Sequence, residues 1–166
     1  MSALDAFAHR GLVDLGELLE RAARLRGLRN AARLRAAVDA ADAGAESPGE
    51  SWTRVCLVDA GLPRPRTQVG LRLVDGRVVR LDMGYDEWRV GVEFDGEEFH
   101  NAVADQAHDL ERRAAVERHG WPVVVARKGD VLRDCHRLAV AVADQLIRRG
   151  WTTDPARLEQ LQRQMR

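Results

Sequence analysis

The chain has 166 residues, 45% hydrophobic and 31% charged, with 26 basic side chains against 26 acidic ones and no net charge. Such a composition excludes a disordered polyelectrolyte and supplies one domain with a core of its own. Its short apolar runs exclude a membrane-spanning helix, and neutrality argues against a uniformly cationic binder of nucleic acid or membranes.

Residues 1–45 read as a helical arm or linker. Leu12, Leu15, Leu18, Leu19, Ala22 and Leu25 recur at helical spacing, Gly27 breaks the pattern, and Leu28 to Ala41 forms a second helix. The opening Met1-Ser2-Ala3-Leu4-Asp5 lacks a basic-then-apolar leader, so a cytoplasmic protein is expected. Cys56 and Cys135, with no Cys-x-x-Cys pair, are then expected as reduced, partly buried thiols. Ser47-Pro48-Gly49-Glu50 is a helix start, with Ser47 as cap, Pro48 in the first turn and Glu50 where a capping box wants its acid. That helix ends near Gly61-Leu62-Pro63.

The period then changes to two. Val69, Leu71 and Leu73 alternate with polar neighbours, Asp75-Gly76 signals a hairpin, and Val79, Leu81 and Met83 follow. A third strand runs from Trp88 to Asp95, with Val90, Val92 and Phe94 on one side. An antiparallel meander with one buried face is expected. Asp105 to His119 is helical with Ala107, Leu110 and Ala114 inward, Trp121 to Ala126 is a buried strand, and Arg133 to Arg148 is a last helix. Trp52, Trp88 and Trp121 are expected in the core. The fold class is therefore α/β, with a domain over 46–150 and a tail over 151–166.

The chemistry concentrates on the polar side of the meander. Glu93 and Asp95 share a strand face, and Asp82 ends the preceding strand. Three converging carboxylates repel one another, and a divalent cation such as Mg²⁺ relieves the repulsion. Residues 81–111 hold ten acids and one basic residue, a net of −9, whereas 112–150 carry +5 and 46–80 carry +2. An acidic centre flanked by arginines suits a metal site acting on a phosphate backbone.

The run Leu81-Asp82-Met83-Gly84-Tyr85, followed by Arg89-Val90-Gly91-Val92-Glu93-Phe94-Asp95-Gly96 and His100, resembles a bacterial endonuclease-domain family. That family is similar to the very-short-patch-repair endonucleases of the PD-(D/E)XK restriction-endonuclease-like superfamily. Ser47-Pro48-Gly49-Glu50, Pro65-Arg66-Thr67-Gln68, Asp109, Arg112-Arg113 and Gly120-Trp121 extend the likeness over about residues 46–147. Residues 1–43 resemble the region that precedes this domain in longer actinobacterial proteins, where a winged-helix, antitoxin-like segment often comes first. The resemblance implies a restriction-endonuclease-like core of helix, three-stranded meander, helix and strand. It also implies an Mg²⁺- or Mn²⁺-dependent endonuclease acting on DNA.

In that reading Asp82, Glu93 and Asp95 are metal ligands, with Glu50 reaching the site from the leading helix. His100 or Asp95 takes a proton from water, and Arg112, Arg113 and Gln68 contact nucleic acid. Asp95 stands where superfamily members usually carry lysine, and Lys128 is the only lysine in the chain. The alternative is an inactive nuclease-fold module that binds DNA or a protein partner, or pairs as a homodimer, in a defence or toxin–antitoxin setting.

Overall fold

The computed structural model describes residues 2–25, 29–96, 103–154 and 156, and over 103–108 the backbone alone. In chain order the described elements are α1 (Ser2–His9), α2 (Leu15–Arg24), α3 (Ala31–Asp39), α4 (Pro48–Asp59), β1 (Arg66–Arg72), β2 (Val78–Tyr85), β3 (Val90–Asp95), α5 (Val103–Arg118), β4 (Val123–Arg127), α6 (Lys128–Arg133) and α7 (Cys135–Arg148). The strands form one mixed sheet in the order β1-β2-β3-β4. β1–β2 and β2–β3 are antiparallel, and β3–β4 is parallel. A parallel neighbour requires a long crossover, and α5 lies within it. The chain is thus a mixed α/β protein. No described helix is long and apolar enough to cross a membrane.

Both faces of this sheet are covered, where one buried face was expected. Met83, Tyr85, Val90 and Val92 pack with Leu57 of α4 and with Leu138, Val142 and Leu146 of α7. Val69, Leu71, Val79 and Leu81 pack instead with Ala115 and Val116 of α5 and with Trp121. Val90 and Val92 belong to the first core, while a Cβ on the intervening Gly91 would meet Leu81 and Val123 of the second. Leu81 and Met83 share a parity yet enter opposite cores, so β2 exchanges its faces at Asp82. The cause lies across the ladder. Thr67 pairs with Met83 and Val69 with Leu81, while Gln68 between them has φ 52°. A left-handed residue inside a strand rotates the chain about its own axis, and β1 and β2 turn over together.

The first forty-five residues are joined to the rest by a sealed ion pair. Arg54 of α4 donates to Asp5 Oδ2 at 2.8 Å and to the Ala40 carbonyl, and both side chains are 1% exposed. Asp5 Oδ1 accepts the Asp42 amide at 3.0 Å. The leucine repeat does not form one helix: Gly11 has φ 67°, and Asp14 starts α2 afresh by accepting the Glu17 amide. Gly27 lies outside the described residues.

Five further expectations are corrected. Cys56 and Cys135 form a disulfide between α4 and α7, so neither is a free thiol. Trp52 is 37% exposed on the outer side of α4, whereas Trp121 is buried. Trp88 and Arg89 precede β3, because Arg89 takes φ 51° and ends the turn. Leu110 is 66% exposed. The phase of α5 is set by Ala115, Val116 and two inward arginines, while the side chains of Val103 and Ala107 lie outside the described set. The final helix is two helices, α6 and α7, with Asp134 ending one and capping the other.

Candidate functional site

The acids meet where the sheet exchanges its faces. Ser47 caps α4 by accepting the Glu50 amide at 3.2 Å. Gly49 lets the helix start lie directly on β3, since a Cβ there would come within 2.0 Å of the Phe94 ring. Glu50 is thereby buried against the sheet. Its Oε2 accepts the Glu46 amide at 3.0 Å and Gln68 Nε2 at 3.1 Å. Glu50 thus makes a reach-back bond at the helix start, to the Glu46 amide in place of the Ser47 amide of a capping box, and its carboxylate also holds Gln68 of β1. Gln68 and Asp82 both fall between the pairs Thr67–Met83 and Val69–Leu81, and the left-handed backbone of Gln68 accompanies a side chain bonded to Glu50. Strained backbone of this kind costs about 1–3 kcal/mol and concentrates at functional sites.

Asp82 Oδ2 accepts the Phe94 amide at 2.8 Å. Burial pushes its carboxyl up to about 6; the Phe94 amide and Arg112 oppose the shift, while Glu50 and Glu93 add to it. This electrostatic coupling brings Glu50, Asp82 and Glu93 into one local field. Glu93, on the opposite side of β3 from Val92, turns to α5. Arg112 grips it with two bonds, Nη1 to Oε1 at 2.7 Å and Nη2 to Oε2 at 3.0 Å, and Arg113 Nε adds a third at 3.2 Å. Glu93 raises the Arg112 guanidinium above its ordinary value, with Asp109 at 3.8 Å and Asp82 acting the same way. Asp95 is more open and lies 4.0 Å from Arg113.

The structure therefore brings together Glu50, Gln68, Asp82, Glu93, Asp95, Arg112 and Arg113. His100 lies outside the described residues. Lys128 begins α6, directly after β4. The donor chemistry fits a hard cation, since carboxylates on α4, β2 and β3 share one buried field. The arrangement does not present it: both oxygens of Glu93 are taken by arginine. Among the described residues no three acid, histidine or cysteine groups stand close enough to hold a metal ion.

Sequence reasoning missed Asp5, Arg54 and Asp42, which tie the N-terminal helices to α4. The available signal was an acid within the apolar Leu4-Asp5-Ala6-Phe7 turn and an arginine four residues after Glu50.

Two relatives come from Mycobacterium tuberculosis: uncharacterized protein Rv2248 of strain ATCC 25618 / H37Rv and uncharacterized protein MT2308 of strain CDC 1551 / Oshkosh. Each is 31% identical over 148 residues, covering 89% of this chain and 55% of the relative. The chain thus spans about half the length of the curated relatives it matches. No protein-family model matches the chain, and no solved structure does.

Proposed function

We propose that the chain is a restriction-endonuclease-like domain that hydrolyses DNA phosphodiester bonds with Mg²⁺ or Mn²⁺ in the cytoplasm. The observation that carries this reading is a buried Asp82 on β2 that feels the charges of Glu50 on α4 and Glu93 on β3, beside a left-handed Gln68 bonded to Glu50. The order of helix, antiparallel meander, helix and parallel strand also supports it. Asp82, Glu93 and Asp95 would hold the cation, which when bound polarises the phosphate and acidifies an attacking water. Gln68 orients Glu50, Arg113 offsets charge on the phosphate, and Asp95 or His100 receives the water's proton. The test is cleavage of plasmid DNA with Mg²⁺ or Mn²⁺. Asp82→Ala and Glu93→Ala should each reduce the rate at least about a hundredfold; cleavage that survives both overturns the assignment.

A second reading is favoured by one observation, that Glu93 is already neutralised by Arg112 and Arg113 while Asp95 stands in the usual lysine position. It is an inactive module of the same fold that binds DNA or a protein partner. DNA binding without cleavage under any divalent cation would support it.

A further inference from the structure

Arg112 and Arg113 cover the carboxylate that the nuclease reading needs for its cation. Both oxygens of Glu93 are engaged, at 2.7, 3.0 and 3.2 Å. Among the described residues no arginine grips Asp82 on the neighbouring strand; its carboxylate accepts the Phe94 amide. The two ends of the clamp differ in access. The Glu93 side chain is 6% exposed, whereas those of Arg112 and Arg113 are 28% and 26% exposed. An anion from solvent thus meets the guanidinium groups first and the carboxylate only behind them. A guanidinium fork accepts the paired oxygens of a phosphate as readily as those of a carboxylate. Exchanging one for the other preserves two charge-assisted bonds on the arginine and frees Glu93 Oε1, while Arg113 keeps its bond to Oε2. The freed oxygen then joins Asp82 in a local field that has lost part of its positive charge.

We propose that Arg112 is an exchange group, holding Glu93 in the absence of nucleic acid and moving to an incoming phosphodiester, which frees Glu93 for a divalent cation. This rests on the nuclease reading and adds a regulation to it: cation and nucleic acid bind with positive, reciprocal coupling. Without DNA the clamp keeps the cation out. Without the clamp, cation binding no longer waits for DNA. Arg112 is in this sense a positioning residue, acting through Glu93.

The experiment measures Mn²⁺ affinity by isothermal titration on the full chain. It is run with and without a short phosphorothioate DNA duplex that resists cleavage, the heat of Mn²⁺ binding to duplex alone being subtracted. For the wild type, DNA should tighten Mn²⁺ binding about tenfold or more. Arg112→Met should bind Mn²⁺ about tenfold more tightly than wild type without DNA, and should lose most of the coupling. Glu93→Ala added to Arg112→Met should abolish that gain. Arg112→Lys keeps the charge but not the fork, and should fall between; it carries the test if Arg112→Met does not fold. Unchanged or weaker Mn²⁺ affinity in the arginine variants, equal coupling in all proteins, or no Mn²⁺ binding to any of them overturns the proposal. Its failure is separable from failure of the nuclease reading. If cleavage requires Asp82 and Glu93 while Arg112 variants bind Mn²⁺ like wild type, the exchange fails alone.

Discussion

Asp5 and Glu93 are both buried carboxylates held by arginine, but their surroundings differ. Around Asp5 everything is closed: Arg54 is as buried as its partner, and the remaining bonds go to the Ala40 carbonyl and the Asp42 amide. Among the described residues no third charged side chain is bonded to that pair. Around Glu93 the acid is buried but its arginines reach solvent, and Asp82, Asp95 and Asp109 crowd the same few residues. The first cluster is a fastening between α1 and α4, closed to solvent. The second is neutralised but over-supplied with acid, and its cations face outward. Burial of a salt bridge alone does not distinguish a structural part from a functional one; the exposure of the cation and the number of competing carboxylates do.

The same substitution at the two arginines tests the difference most strongly. Arg54→Met leaves Asp5 charged and sealed, and should cost about 3–5 kcal/mol in urea denaturation. Arg112→Met leaves Arg113 on Glu93 and admits water, and should cost about 1–2 kcal/mol. Equal losses would erase the contrast.

The Cys56–Cys135 bond fastens α4 to α7 at a sequence separation of 79. The paired variant Cys56→Ser/Cys135→Ser should lose about 2–4 kcal/mol, read by calorimetry against the oxidised wild type. If reductant leaves the wild-type melting temperature unchanged, the bond contributes nothing to the frame that carries Glu50.

Asp82 gives the sharpest sign. Its carboxyl sits at about 6 in the folded chain, above the ordinary 3.8, so the protonated form suits the fold. The stability this provides is fully present below about pH 4 and is lost as pH rises through 6. Asp82→Asn, neutral throughout, should therefore stabilise the protein by about 1–3 kcal/mol at pH 8 in EDTA and by nothing at pH 4. A stability gain of equal size at both pH values would show that the buried charge of Asp82 is not its source.

Much of this was legible in the residues. Alternation located the strands, Asp75-Gly76 the hairpin, and Ser47-Pro48 the start of α4; the run of acids between 81 and 111 contains Asp82, Glu93 and Asp95 of the candidate site. What was not legible has physical reasons. A glutamine carries no signal for a left-handed backbone, so the exchange of faces at Gln68 and Asp82 was invisible, and Leu81 and Met83 read as neighbours on one face. In α5 the apolar pattern favoured Leu110 as an inward residue. A buried Glu93 needs cations, and that need turned Arg112 and Arg113 inward instead. The disulfide depends on α4 and α7 meeting in space, which two distant cysteines cannot announce.

That disulfide also changes the topology of the molecule. It closes a covalent ring containing all four strands, α5 and α6, and therefore Gln68, Asp82, Glu93, Arg112 and Arg113. A single backbone cut anywhere between the two cysteines opens the ring without releasing a piece. The two halves of a nicked chain would migrate together through a denaturing gel and part only on reduction. Glu50 stands outside the ring, on the short stretch of helix leading into its clasp, so nicked protein still carries every acid of the site on one covalent body.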